Sequence, residues 1–513
     1  MTKTRIWIGV TAVFAATTFF SAAALRAQDD DPPGRVARVA YLSGEVSMLY
    51  AGTQEWTAAA ANYPMVSGDR IYAGDYARAA IQNGDIDVRV GQDSDVTLTN
   101  LSDNYEQLGL AQGAIRVRVF ALDPDGVVEV DTPNGAVIIE QPGDYRINAY
   151  PEDNGALVVV NQGSVQITGP GLNQEVDEGQ AVQMEGSDPV ELGLVEMPYE
   201  DDLDRWSMDR DRHIMNSVSA RYVSTAMPGY DDLDDYGTWA QTGEYGPVWY
   251  PTAVPYGWAP YTFGHWAYVR PWGWTWVDNA SWGYAPFHYG RWAQIGGRWG
   301  WVPGPRRVVP VYSPALVAFV GGGPGLSIDI HFGGGGVAAW FPIGVGEPYV
   351  PWYRCSPRYV RQVNVTNVNV TNIHNTTIVN NYNTFITNTR VVNNVTQINT
   401  TKIVYVNRTR VVAVPGNMMA SGANVQHAQV RLNEEQQRRL VSAPLAVGRP
   451  PVETPVRPMP VARMNVARPI APPRLVTPRG RVAMTPAANA VRVNPATLPQ
   501  PRPSEMIRPA ARP

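Results

Sequence analysis

The feature that most constrains the fold is a segment, 258–301, that contains nine tryptophans. Its motif GWAPY at 257–261 recurs as GYAPF at 283–287, an offset of 26 residues. A pair of adjacent Trp and Val residues also recurs, at 248–249, 276–277 and 301–302. The tryptophans of these pairs are 27 and 25 residues apart. A period near 26 predicts a supersecondary unit of paired strands that repeats two to three times.

The tryptophans admit two interpretations. From Trp266 to Trp276 the aromatic residues occupy even positions, so an extended chain places them on one face. Each ring buries roughly 150 to 250 Å², enough to build a core, but an exposed row of rings also stacks on sugars. The fixed spacing favours the core. The residues of this candidate core or binding face are Trp258, Trp266, Trp272, Trp274, Trp276, Trp282, Trp292, Trp299 and Trp301.

The first half of the chain predicts a separate β domain at 36–185. Short runs of alternating apolar residues, such as Ile86, Val88 and Val90, give each strand one buried face. Turn signals rich in Gly, Asp, Pro and Asn separate these runs. With 47 Gly, 44 Pro and 17% charged residues, the whole chain is expected to be mainly β. The first domain is predicted to be a β-sandwich or a β-roll.

The ordered motifs of this domain carry a family resemblance. LSGEV, VSGDRIYAGDYARAAIQNGDIDVRVGQDSDVTL, LAQGAIRVRV, VEVDTPNGAVIIEQPGDYRI and VVVNQGSVQI follow one another in this order. They resemble the FecR-type periplasmic β domain. In the best-known members of that family, the domain follows a cytoplasmic segment that regulates a sigma factor and a membrane span, and it relays a signal from a transporter outside. Only Met1 to Arg5 precede the apolar run here. We therefore expect a domain that binds or assembles on the envelope side.

The aromatic segment carries a second resemblance. EYGPVWYP, GWAPYTFGHWAYVRPWGWTWVDNASWGYAPFHYGRW and GGRWGWVPG are similar to a bacterial Trp/Gly-rich domain that often follows a FecR-type domain and has no assigned function. We expect a Trp/Gly/Pro-rich β-repeat domain at 237–360. The resemblance implies an exported bacterial protein and supplies no catalytic residue.

Composition sets the expectations for the remaining segments. The region 199–236 is predicted to be a charged, solvated linker with a short helix at Trp206 to Tyr222. The Asn/Thr-rich region 361–412 is predicted to form a strand or a solenoid-like segment. From 413 to 513 we expect a disordered basic tail rich in Pro and Arg. Residues 401–513 hold 17 Lys and Arg against 4 Glu, so the tail is expected to contact an anionic surface or to stay solvated.

The N-terminus predicts export. A basic start, an uncharged apolar run and the small residue Ala27 match a signal peptide at 1–27, although an uncleaved run would act as a membrane anchor. We expect a location in the periplasm or at the cell surface, where nucleic acid is a poor candidate partner. The single cysteine, Cys355, excludes an internal disulfide framework.

No catalytic constellation stands out in the sequence. Glycoside hydrolysis needs two carboxylates, and Asp278 is the one acidic residue between Trp258 and Trp301. His265 and His288 lack companions at metal-ligand spacing, so no metal and no cofactor is predicted. We expect a non-enzymatic envelope protein that binds or scaffolds peptidoglycan, another polysaccharide or an envelope protein. The alternatives are an accessory of FecR-like signalling and, least favoured, a glycan-active enzyme.

Overall fold

The computed structural model describes residues 31–320, 336–373, 382, 390–392, 395–397, 405–443 and 445. The predicted mainly β class is confirmed for this part of the chain. The predicted signal peptide and the tail after Leu445 lie outside the described residues. Within the described residues, no helix is long and apolar enough to cross a membrane.

The first domain is a succession of strands joined by tight turns, as the alternating apolar residues predict. It extends to Val195, ten residues beyond the predicted end at 185. The strands are β1 (Ala37–Ser43), β2 (Val46–Leu49), β3 (Thr57–Ala58), β4 (Pro64–Met65), β5 (Arg70–Ala73), β6 (Arg78–Asn83), β7 (Ile86–Val90), β8 (Ser94–Leu101), β9 (Tyr105–Val119), β10 (Val127–Asp131), β11 (Ala136–Ile139), β12 (Gly143–Tyr150), β13 (Gly155–Gln162), β14 (Ser164–Gly169), β15 (Leu172–Asp177), β16 (Gln180–Glu185) and β17 (Glu191–Val195).

Two sheets share the long strand β9. In the first sheet, β1, β6, β7, the second half of β9, β12, β13, β16 and β17 pair in that order. In the second sheet, the first half of β9 pairs with β8 and, in parallel, with β10. Gly113, between the two halves, has a φ of 86°, a backbone conformation that favours glycine. Side chains of both sheets share one hydrophobic core, which corresponds to the sandwich alternative.

The segment at 199–236 is folded, so its prediction as a solvated linker is wrong. Its helix α1 (Asp202–Met215) begins and ends earlier than predicted. A capping box starts it: the Asp201 carboxylate accepts from the Asp204 N–H, and the Asp204 carboxylate accepts from the Asp201 N–H. Short helical turns follow at Ser219–Arg221 and at α2 (Leu233–Tyr236).

Helix α1 packs on a ladder of three arginines in the first sheet. Arg89 stands directly opposite Arg116, and Arg116 opposite Arg146, an arrangement in which like charges repel. Asp204 and Asp211 of the helix offset this repulsion. Arg116 Nη1 lies 2.9 Å and Arg146 Nη1 2.5 Å from Asp204, while Arg89 Nη2 lies 3.2 Å from Asp211. The carboxylates of α1 pair with arginines that are far away in the sequence. Local composition does not reveal such pairs, and the segment therefore looked like a solvated linker.

Three hairpins carry the predicted repeat of the aromatic region. They are β18 (Gly237–Thr242) with β19 (Gly246–Pro251), β20 (Gly264–Val269) with β21 (Gly273–Asp278), and β22 (Arg291–Ile295) with β23 (Arg298–Val302), the last two separated by α3 (Ala285–His288). Each hairpin places two tryptophans directly opposite each other: Trp239 and Trp249, Trp266 and Trp276, Trp292 and Trp301. The period near 26 is therefore a repeated tryptophan-paired hairpin.

The body continues well beyond its predicted end at residue 360. Its further elements are β24 (Val317–Val320), β25 (Val337–Pro342), α4 (Pro357–Val365), the hairpin β26 (Arg390–Val392) and β27 (Val395–Gln397), β28 (Val412–Pro415), α5 (Gly416–Ala420), α6 (Val425–Ala428) and α7 (Glu434–Ser442). Strand β28 pairs with β25, and Leu440 of α7 is buried. The prediction of disorder from residue 413 is therefore wrong as far as residue 443, because apolar Val412, Val414 and Leu440 complete the core.

The β domain and the aromatic body pack against each other. Asn62 Nδ2 donates to the carbonyls of Asp278 and Ala280, at 3.1 and 2.7 Å. Buried Arg38 of the first sheet lies 2.7 Å from the Asp232 carboxylate, just before α2. Side chains of both regions belong to one hydrophobic cluster. The β domain and the aromatic body therefore form one folded unit, and the segment 199–236 is part of it.

Candidate functional site

The nine tryptophans of the candidate face line the core of the aromatic body. Eight are buried, and Trp258 is partly buried against Trp282 and Trp292. Trp266 packs edge-on against Trp276 and Trp340, with ring centroids 5.5 and 5.3 Å apart. The even-numbered residues share a face as predicted, but His265, Thr275 and Val277 on the opposite face are buried too. These rings therefore present no exposed aromatic platform.

Buried indole groups find hydrogen-bond acceptors inside the body. Nε1 of Trp249, Trp292 and Trp301 donates to the carbonyls of Leu233, Pro286 and Tyr289, at 2.9, 2.9 and 2.8 Å. These bonds remove much of the cost of burying a polar N–H. These three tryptophans thus tie their hairpins to α2, to α3 and to the residue after α3, as well as filling space.

Asp278, the carboxylate closest to the tryptophans in sequence, belongs to this interior. Its Oδ1 accepts from the Ala280 N–H and its Oδ2 from Trp276 Nε1, both at 3.0 Å. Burial raises the pKa of Asp278 to about 8, against the effect of these two hydrogen bonds. A carboxyl group enclosed in this way does not line a substrate groove.

The two histidines are also interior side chains. Burial lowers the pKa of His265 to about 4 and that of His288 to about 3, so both rings are neutral at pH 7. His288 Nδ1 lies 2.8 Å from the Ser313 carbonyl, and its ring stacks on Tyr312. The part of the chain that the structure describes contains no group of three or more His, Cys, Asp or Glu that could hold a metal. Cys355 is buried, which raises the pKa of its thiol to about 12.

The acidic cluster at 231–235 is used internally. Asp231 and Asp232 face Arg38, at 4.0 and 2.7 Å from its Nη2. Asp234 accepts from the backbone N–H groups of Val218 and Ser219, at 2.7 and 2.9 Å. These carboxylates stabilise the contact between the two regions and the turn before α2.

An open site lies on the loop between β23 and β24, which the sequence interpretation missed. Two clefts of about 390 and 400 Å³ adjoin this loop, and both are lined by Arg306 and Arg307. We call them the Arg306–Arg307 clefts. Further residues of the first cleft are Pro305, Val365, Val368, Asn369, Thr371 and Tyr382, and of the second Asp85, Ala226, Ser224, Thr225, Val308 and Val309.

The arginines of the clefts are exposed and available. Arg306 Nε donates to the Ala220 carbonyl at 3.0 Å, which anchors the side chain while its terminal nitrogens remain free of hydrogen bonds to described residues. Neither guanidinium forms an ion pair with any residue in the described part of the chain. Val308 and Val309 beside them are 38% and 44% exposed. The clefts therefore combine two free cations with small apolar surfaces.

The chemistry of the clefts suits an anion with apolar portions. A planar guanidinium binds carboxylate or phosphate in a two-pronged geometry. Ser224 and Thr225 add hydroxyl groups in the second cleft, and Asp85, whose pKa is raised by burial, also lines it. The one sequence signal was the string PRRVVP, an arginine pair without neighbouring acids that lies between prolines.

Comparisons with known proteins identify part of this body. A family of unknown function, DUF6600, matches residues 230–347, which include the three hairpins. A search of curated proteins found no match. Two crystal structures of a candidate anti-sigma factor from Parabacteroides distasonis, at 1.65 and 2.50 Å resolution, share 15% identity with this chain, with TM-scores of 0.23 and 0.22. Each match covers 25% of this chain and 60% of the solved chain.

The comparisons support the resemblance of the aromatic region and leave that of the first domain untested. The likeness to the solved structures is too weak to carry an argument about function, and the resemblance of the first domain to the FecR type stays a prediction. The resemblance of the aromatic region to a domain of unknown function is confirmed. Residues 230–347 match the DUF6600 family of unknown function, and the match spans the hairpin repeat and the loop that carries Arg306 and Arg307.

Proposed function

We propose that the chain is a non-enzymatic binding and scaffolding protein of the bacterial cell envelope, with the Arg306–Arg307 clefts as its contact site. The observation that carries the proposal is that two adjoining clefts share two exposed arginines without an acidic partner among the described residues. An anionic envelope polymer or the acidic surface of an envelope protein would supply the missing charge.

Three properties of the interior support binding rather than catalysis. Asp278 has both carboxylate oxygens engaged inside the core. His265 and His288 are neutral at pH 7 and enclosed. The tryptophans fill space between hairpins, where substrates have no access. The exposed feature of the body is the positively charged surface at the Arg306–Arg307 clefts, which lies on a core of packed aromatic side chains.

The test is co-sedimentation of the chain from residue 28 onward with isolated cell-wall sacculi. The double variant R306A/R307A should bind at least tenfold more weakly, which corresponds to about 1.4 kcal/mol. The matched control is R438A/R439A, which removes a second adjacent arginine pair whose members lie near Glu434 and Glu435 in α7. This control should bind like the wild type.

A truncation separates the clefts from the basic tail. It should end at Leu445, because β28 and α7 belong to the folded body. Equal binding by the truncated and the full chain would assign attachment to the clefts. Binding lost with the tail but kept in R306A/R307A would contradict the proposed site. Absence of sacculus binding by every form would reject the wall polymer and leave a protein partner to be sought.

A further inference from the structure

We infer that the ligand of the proposed site is a linear anionic polysaccharide that runs from the Arg306–Arg307 clefts along helix α4. The inference rests on the proposed function and names its ligand class. Its basis is a second set of exposed arginines: Arg354, which precedes α4, and Arg358 and Arg361, which lie on α4. We call this set the basic stripe.

The packing of α4 directs the stripe outward. Tyr359, Val360, Val363 and Asn364 are buried, which places the opposite side of the helix at the surface. Asn364 holds this orientation: its Oδ1 accepts from the Tyr349 N–H at 2.8 Å, and its Nδ2 donates to the Tyr349 carbonyl at 2.9 Å. Rotation of the helix would break this reciprocal pair.

Helical spacing connects the stripe to the cleft. Arg358 and Arg361 are three residues apart and therefore lie on the same side of α4, and Val365 follows Arg361 by four residues. Val365 is 40% exposed and lines the first cleft with Arg306 and Arg307. From Arg358 to Val365 the helix axis covers about 10 Å. One continuous ligand can thus contact both groups of arginines.

The charges of the stripe are unopposed in the described part of the chain. Arg354, Arg358 and Arg361 form neither ion pairs nor side-chain hydrogen bonds with described residues. Asp31, at the beginning of α4, is occupied as an acceptor from Ser356, whose N–H and hydroxyl lie 2.5 and 2.6 Å from its two oxygens. Together with Arg306 and Arg307, the stripe gives five separated guanidinium groups that form no ion pair with described residues and could bind anionic groups.

The spacing favours a chain of repeated anionic units over a small anion, which would satisfy one or two of these arginines. Pro305 and the exposed Val365, which line the first cleft with Arg306 and Arg307, suit the C–H faces of sugar rings. Single-stranded nucleic acid normally stacks its bases on exposed aromatic side chains. Tyr382, the aromatic residue among those that line the first cleft, is buried. These properties favour an anionic polysaccharide.

The experiment measures binding of the chain from residue 28 onward to polygalacturonate, dextran sulfate, neutral dextran and a single-stranded oligonucleotide. We expect polygalacturonate and dextran sulfate to bind, neutral dextran not to bind, and affinity to fall as salt rises. The stripe variant R354A/R358A/R361A should bind long polygalacturonate at least tenfold more weakly. The matched control R431A/R438A/R439A, which removes the same charge elsewhere, should bind like the wild type.

Short ligands distinguish this inference from the proposed function. A galacturonate trimer should reach the clefts alone, so its binding should be lost in R306A/R307A and kept in the stripe variant. Unchanged binding of long chains by the stripe variant would overturn the inference while leaving the clefts as the proposed site. Tighter binding of the oligonucleotide, lost in the stripe variant, would overturn the ligand class. Equal weakening by the stripe variant and its control would show that net charge alone matters and would also overturn it.

Discussion

Two sets of three arginines in this protein show opposite uses of the same side chain. The ladder of Arg89, Arg116 and Arg146 is buried under α1, whereas the basic stripe on α4 is exposed. The first set places like charges opposite each other on neighbouring strands. In the second set, Arg358 and Arg361 lie on one side of a helix and Arg354 precedes that helix. The difference lies in the partners. Carboxylates form ion pairs with the ladder, while no described carboxylate forms an ion pair with the stripe.

The buried set is therefore a structural device. Asp144 and Asp204 both contact Arg116, and Asp204 also contacts Arg146, so one carboxylate of α1 joins two strands of the sheet. Charges taken out of water in this way are stable only while each has its counterpart. The exposed set has no such constraint, and its charges are available to an external ligand.

The largest expected effect is on the buried ladder. Replacing Arg116 with alanine should lower the free energy of unfolding by about 3 to 5 kcal/mol, because Asp144 would be left buried without its counterion and Asp204 would keep only Arg146. Chemical denaturation of the purified chain measures this change. A loss below about 1 kcal/mol would show that water reaches the ladder, and the distinction between the two sets would fail.

A second effect concerns the pH dependence of the interior. The pKa of Asp278, about 8 when folded, exceeds the ordinary value for an aspartate, about 4. Between these values the folded state holds a proton that the unfolded state releases, so this group's contribution to stability falls as pH rises from about 4 to 8. The variant D278N should flatten the decline by on the order of 1 kcal/mol per pH unit.

The measurement for Asp278 is a series of denaturation curves at pH 5, 6, 7 and 8 for wild type and D278N. A constant offset between the two proteins would reflect the altered hydrogen bonds, so the slope against pH is the relevant quantity. Parallel slopes would mean that Asp278 is ionised at neutral pH inside the folded protein.

The smallest expected effect is on the stability of the exposed set. The stripe variant R354A/R358A/R361A should change the free energy of unfolding by less than about 0.5 kcal/mol per residue, as is usual for surface substitutions. Thermal unfolding at low and high salt checks this value. A large loss would show that the stripe has structural partners, which would remove the contrast with the ladder and the basis for assigning it to a ligand.

Local patterns predicted the strands, and long-range matches escaped prediction. The alternation Ile86, Val88, Val90 is readable because neighbouring side chains in a strand point to opposite sides, and it corresponds to β7. Asp204 and Asp211, by contrast, look like solvated linker residues in the sequence. In the structure they pair with arginines more than 50 positions away. The prediction that the disordered tail begins at residue 413 was wrong for a similar reason. Val412 and Val414 are buried because their strand, β28, pairs with the distant strand β25.

The sequence by itself determined the mainly β class, the hairpin period near 26 and the common face of Trp266 and Trp276, because these depend on residues close along the chain. Only the tertiary structure decided that the tryptophans face inward, that α1 neutralises buried arginines and that Arg306 and Arg307 border open clefts beside α4. Burial and charge pairing are properties of contacts between distant segments, and the same arginine is a structural residue or a free cation according to what the fold places beside it.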